Sequence, residues 1–167
     1  MNDSSFRKDF GGMMSYLQTD APEAKKMKSA LRHAVAEEPG DNPELWGWIV
    51  SHMSSELQGK GEEISYAEYA VYIALSMFAI GPGNNTEMTL AEAIAASESG
   101  RRRLVDAEMA TDMKDMQVAL RGAVKLIASK GYSFNYFRLV EDIYSWQVNK
   151  TKIARKWERE YARKETK

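Results

Sequence analysis

Apolar residues recur every three or four positions along almost the whole chain, and no window alternates apolar with polar residues as a half-buried strand does. That period predicts an all-α protein. Met27, Leu31 and Val35 repeat on one face of a helix opened by Pro22, a favourable first-turn residue. Leu45, Trp46, Ile49 and Met53 mark a third helix, entered through Asp41-Asn42-Pro43. The run Ala70 to Ile80 is apolar nearly all round, which predicts a central, buried helix from about Ser65 to Ile80. Gly81-Pro82-Gly83-Asn84-Asn85 is the clearest loop. Thr86 or Thr89 caps a short fifth helix, Asp112 opens a seventh, and Gly131 ends it as a C′ glycine. Ser133 is the expected cap of the eighth helix, and Asn149 or Thr151 that of the ninth.

The period breaks between Ser97 and Gly100, where the charge also changes sign. Residues 1–100 carry seven Lys/Arg and fifteen Asp/Glu, a balance of −8, and residues 101–167 carry sixteen and nine, a balance of +7. The expectation is two small helical bundles in series, an acidic one over 1–98 and a basic one over 99–167. A split of this kind points to a second half that meets phosphate or an acidic partner, or to association between copies.

The basic charge is one-sided. Between Lys150 and Lys167 there are eight Lys/Arg and three Glu. At about 100° per residue, Lys152, Arg155, Lys156, Arg159 and Arg163 fall within about 100° of one another, opposite Ile153, Trp157 and Tyr161. A solvated helix usually mixes signs, because Glu and Lys four apart stabilise it; a single-sign stripe more often faces a polyanion. On the seventh helix Lys114, Arg121 and Lys125 lie within about 40° of one another, away from the face of Met113, Met116, Leu120, Val124 and Ile127. Arg101, Arg102 and Arg103 open the sixth helix, where cations oppose the macrodipole. They read either as a functional cluster or as partners of Asp106 and Glu98. Trp157 and Tyr161 lie on the buried side, so the stripe lacks a platform for stacking bases; this favours phosphate contacts without sequence readout.

Other chemistry finds little support. There are no cysteines, hence no disulfide, thiolate site or cysteine nucleophile. His33 and His52 lie on different helices with no metal-ligand spacing, and Gly81-Pro82-Gly83 lacks the lysine and strand of a phosphate loop. No nucleophile has a convincing base. A non-enzymatic protein without cofactor or metal is expected. The polar start MNDSSFRKDF and the absence of about 18 consecutive apolar residues give no signal peptide and no membrane span, so a cytoplasmic protein is expected.

Several segments, in order, resemble one family: Ser29-Ala-Leu-Arg-His-Ala34, Ala67-Glu-Tyr-Ala-Val-Tyr72, Met77-Phe-Ala-Ile-Gly-Pro82, Thr89-Leu-Ala-Glu-Ala93, Gly100-Arg-Arg-Arg-Leu104, Val118-Ala-Leu-Arg121, Lys130-Gly-Tyr-Ser-Phe-Asn-Tyr136, and Ile153-Ala-Arg-Lys-Trp-Glu-Arg-Glu-Tyr161. Together they resemble the CasB family, the small subunit of the type I-E CRISPR surveillance complex, Cascade. The resemblance implies a non-enzymatic, all-helical protein of two bundles, present as a pair of copies, touching the backbone repeat subunits and the large subunit. It implies a basic surface that stabilises the crRNA–target hybrid and the displaced DNA strand through phosphates, while base pairing reads sequence. Carried onto this chain, the basic positions are Arg32, Arg102, Arg103, Arg121, Arg155 and Lys156. His33 and Gly122 depart from the pattern, each standing where an arginine is common. The other reading of the same stripe is a helical protein–protein adaptor whose basic half docks an acidic partner without nucleic acid.

Overall fold

The computed structural model describes residues 3–165, whose named elements are all helices. Met1, Asn2, Thr166 and Lys167, the last cation of the terminal basic run, lie outside the described residues. The chain divides into two compact units between Ala79 and Ile80.

The first unit contains α1 (Asp3–Leu17), α2 (Pro22–His33), α3 (Pro43–Ser51) and α4 (Tyr66–Ile80), with short 3-10 turns at Ala34–Ala36 and Ser55–Leu57. The Asn42 side chain accepts from the Leu45 amide and starts α3. Helix α4 is the centre of this unit, as its all-round apolarity predicts: every residue from Ala70 to Ala79 is buried. Phe6, Phe10, Met13, Leu31 and Ile49 complete the core. Of the two neighbouring tryptophans, Trp48 is buried and Trp46 half-buried, since residues two apart cannot share a helix face.

The second unit holds α5 (Leu90–Ala96), α6 (Arg101–Glu108), α7 (Met113–Ser129), α8 (Tyr136–Val148) and α9 (Lys150–Glu165). Helix α5 packs on α9, α6 and α7, so it belongs here and not with the acidic half. This moves the boundary from 98/99 to 79/80. The break at Ser97–Gly100 is a tight corner inside one unit: a Cβ on Gly100 would lie 2.5 Å from Ile94 Cγ2 and 3.1 Å from Leu126 Cδ2. Residues 80–100 contain three Glu and no Lys or Arg, so the charges of the two units become −5 and +4. The asymmetry is smaller but keeps its sign.

Caps follow local chemistry. Thr89 and Glu92 form a reciprocal capping box on α5. Helix α7 ends with Gly131 at φ 79° and a Tyr132 amide bonded to the Ile127 carbonyl, a Schellman closure. Helix α8 is capped by Asn135, whose Oδ1 accepts from the Phe137 and Arg138 amides, not by Ser133. The Ser133 hydroxyl instead accepts from Asn85 Nδ2 at 3.1 Å. The reason is tertiary: the loop at Asn84–Asn85 pairs with the strand-like segment before α8, with Asn85 N to Phe134 O at 2.9 Å and Tyr136 N to Asn84 Oδ1 at 2.8 Å.

Candidate nucleic-acid interface

Helix α9 follows α8 after the single residue Asn149, whose side chain accepts from the Lys152 amide at 3.2 Å and starts the new helix. Ile153, Trp157 and Tyr161 are buried, which fixes the rotation of α9 and leaves its cationic face outward. The lock is polar as well as apolar. Asp142 of α8 is buried and accepts from Trp157 Nε1 at 2.8 Å and from Lys156 Nζ. Burial pushes the Asp142 carboxyl above its ordinary range, and the Lys156 charge and the two hydrogen bonds oppose that rise.

Above this lock lies an open groove of about 460 Å³, lined by Arg138, Lys152, Arg155, Lys156, Arg159, Glu160 and Arg163. Six cations and one carboxylate thus meet in one concavity. Lys152, Arg155, Lys156 and Arg159, all expected from the stripe, come together here. Lys156 is the least available of them, because its ammonium is held by Asp142. Arg138 joins from the first turn of α8 and was not expected. Its only sequence signal is that it is the single cation of α8, one turn before Asp142. Glu160 was also missed; nothing in a helical wheel announces that a carboxylate among arginines is 4 % exposed.

The cations of α6 have a different setting. Arg101 Nη1 donates to Glu158 Oε2 at 2.7 Å and its guanidinium lies 5.1 Å from the Tyr161 ring centroid. Its partner is therefore on α9 and not Glu98. Arg102 pairs with Asp106 at 3.0 Å, one turn along the same helix. Arg103 lies against α7 at Gly122, where a Cβ would come 2.7 Å from its Nη1. Arg102 and Arg103 line a separate concavity of about 480 Å³ with Asp106, Asp115, Met109 and Val118, so charge there is balanced. Glu108, also on α6, sits beside Glu158; burial first, then that neighbour, pushes its carboxyl up to about 8, while Arg101 pulls it down. The Glu158 carboxyl is lowered, chiefly by its bond to Arg101.

Lys114, Arg121 and Lys125 are exposed along α7, opposite the buried Met116, Leu120, Val124 and Ile127. They line neither concavity. Arg32 belongs to the first unit, where its Nε donates to the Ala79 carbonyl at 3.2 Å and closes the C-terminal end of α4. Among the described residues no three His, Cys, Asp or Glu side chains converge as a metal site, and no helix is long and apolar enough to cross a membrane.

The profile of the family described as CRISPR-associated protein Cse2 matches residues 28–161, most of the chain, from the middle of α2 into α9. The chain belongs to the Cse2 family. Solved structures agree in fold. CasB from Thermobifida fusca superposes with a TM-score of 0.72 at 20% identity, covering 95% of this chain and 96% of that one. CasB from Thermus thermophilus gives 0.73 at 21% identity, covering 92% and 97%, and M. ruber CasB gives 0.69 at 19%, covering 93% of each. No curated sequence matches the chain. Membership makes this a CRISPR-associated protein and implies a subunit of Cascade, in keeping with the resemblance its segments carry. Of the two concavities, the α8–α9 groove has the larger excess of cations over carboxylates in its lining.

Proposed function

We propose that this chain is a non-catalytic nucleic-acid-binding subunit of type I-E Cascade. It stabilises the crRNA–target hybrid and the displaced DNA strand through sequence-independent phosphate contacts. The observation that carries this reading is the α8–α9 groove, where Arg138, Lys152, Arg155, Arg159 and Arg163 surround one concavity with no aromatic ring among its lining. Such a surface suits a phosphodiester backbone and offers nothing to stack a base. Lys114, Arg121 and Lys125 extend the cationic surface along α7. The proposed partners are the large subunit, the backbone repeat subunits, a second copy of this chain, crRNA and the two DNA strands. Modest affinity in the lone subunit suffices when neighbours supply effective concentration.

The test is fluorescence anisotropy with single- and double-stranded DNA across a salt series. Affinity should fall with salt, with a log–log slope of about 0.7–0.9 per phosphate contacted, and depend little on sequence. Absence of salt-sensitive binding at low ionic strength counts against the proposal.

One observation favours the adaptor reading as well. Met109 and Val118, 72% and 56% exposed, line the charge-balanced α6–α7 concavity, a surface better suited to protein than to phosphate. Nucleic acid carried through purification, seen as a raised 260/280 absorbance ratio, separates the two readings.

A further inference from the structure

A wall of arginines does not explain the floor of the α8–α9 groove. Glu160 is 4 % exposed and its Oε1 is buried without a hydrogen-bond partner. It lines the groove and also a smaller cavity of about 150 Å³ that continues toward Thr86, Thr89 and Glu92. An ionised carboxylate left with an unmatched oxygen in such a place is strongly disfavoured. It would also repel any phosphate that the surrounding cations attract.

The charges that face Glu160 come from three elements. Helix α9 contributes Lys156, Arg159 and Arg163, and α8 contributes Arg138 and Asp142; Glu87, Thr89 and Glu92 face it from α5 and the turn before it. Burial raises its carboxyl above the ordinary value and Asp142 and Glu92 push the same way, while the Lys156 charge and a hydrogen bond with the Thr89 side chain oppose them. An arginine cannot give up its proton and a phosphodiester cannot accept one near neutrality, so a carboxylic acid is the one group in the groove able to change sign of interaction.

We propose that Glu160 is a phosphate-binding residue: in its acid form the carboxyl O–H donates a hydrogen bond to a non-bridging oxygen of a phosphodiester held by Arg138 and the arginines of α9. The proposal rests on the reading of this groove as the phosphate site. The one bond formed is the O–H of the carboxyl, its proton coming from solvent; at most one proton is taken up as the phosphate enters, to the extent that Glu160 is ionised beforehand. The bound anion cancels the positive field that favours the carboxylate, so binding and protonation of Glu160 reinforce one another. Affinity then tightens as pH falls, by up to about tenfold per pH unit, the limit for one linked proton.

The experiment measures binding of labelled oligothymidylate at fixed ionic strength from about pH 8 to about pH 5, a range in which thymine does not titrate. Wild type should tighten steadily. Glu160→Gln, a neutral donor of the same shape, should bind at every pH as wild type does at the acid end, with the slope gone. Glu108→Gln should keep the slope. A slope that survives in Glu160→Gln, or a flat wild-type profile, overturns the proposal. Should Glu160→Gln fold poorly, carbon-13 titration of the Glu160 carboxyl in wild type decides: its midpoint must rise when oligothymidylate is added, and an unchanged or lowered midpoint overturns the proposal. Binding that is pH-flat yet lost on replacing Arg138, Arg155 and Arg159 leaves the groove as phosphate site and removes only the role of Glu160. No binding at any pH removes both.

Discussion

The α8–α9 groove and the first turn of α6 are both dense in arginine, and they differ in what lies beside the charge. In the groove, Arg138, Lys152, Arg155 and Arg159 line a concavity whose one acid is buried. On α6, Arg101 is held by Glu158, Arg102 by Asp106, and Arg103 lies back against α7. A count of cations, six against three, understates the difference between the two regions. Their surroundings leave the first with an excess of cations, the basis of the proposed anion site, and tie the second into the packing of α6 on α7 and α9. Exposed ion pairs contribute little stability, about 0–1 kcal/mol each, but they do occupy the cation.

The largest expected effect breaks or supports this contrast directly. Replacing Arg138, Arg155 and Arg159 together by Ala should weaken single-stranded DNA binding about a hundredfold at low salt and lower the log–log salt slope by about 2, three lost contacts at about 0.7 each. Replacing Arg101, Arg102 and Arg103 together should cost less than about tenfold. Anisotropy across a salt series measures both. The reverse ranking would mean that the α6 ion pairs open readily and that the groove is not the principal contact.

Next in size is the lock beneath the groove. Asp142→Asn removes the charge that Lys156 uses and leaves Lys156 and Trp157 Nε1 competing for one neutral side chain. Lys156 is 41% exposed, so solvent moderates the loss, and a cost of about 2 kcal/mol is expected in urea unfolding. DNA affinity should change less than stability, because the freed lysine stays in the groove.

The stripe on α9 was legible because a helical period and a buried Trp157–Tyr161 face are properties of one segment. Arg138 and Glu160 were not, because the groove exists only where α8 meets α9. The pairing of Arg101 with Glu158 spans 57 residues and replaces the local partner Glu98 that sequence suggests. The same limit explains the unit boundary. Ser97–Gly100 carries every local sign of a linker, yet Gly100 is buried between Ile94 and Leu126. The displaced cap at Asn135 follows from the pairing of Asn85 with Phe134, 49 residues apart, which takes Ser133 for another bond. Family resemblance supplied what local pattern could not: the order of motifs already carried the fold and its setting.

A smaller effect concerns pH and the α6 side of the comparison. Glu108 has a folded value of about 8 against an ordinary 4.5. The folded protein therefore holds this proton more tightly than the unfolded chain. The stabilisation is fully present below about pH 4.5 and is lost as pH rises toward about 8, where Glu108 ionises beside Glu158. The urea midpoint of wild type should fall across that window relative to Glu108→Gln, which cannot ionise. Equal pH profiles for the two proteins would mean that the carboxyl pair relaxes apart in solution.

The smallest expected effect is at Gly122, which stands mid-helix in α7. A methyl group there would come 2.7 Å from Arg103 Nη1 and 3.2 Å from its Cζ. Those atoms are the far end of a flexible side chain, so Arg103 can swing away at little cost. Against this, Ala in place of Gly in a helix interior gains about 0.5–1 kcal/mol. Gly122→Ala should therefore leave stability unchanged or raised by less than about 1 kcal/mol, measured by urea unfolding. It should also turn Arg103 outward, so that a small rise in DNA affinity appears only at low salt, where an additional peripheral cation counts. A loss of about 2 kcal/mol or more would show instead that Arg103 is held rigidly against α7, and that this arginine is a packing element and not a displaced member of the basic surface.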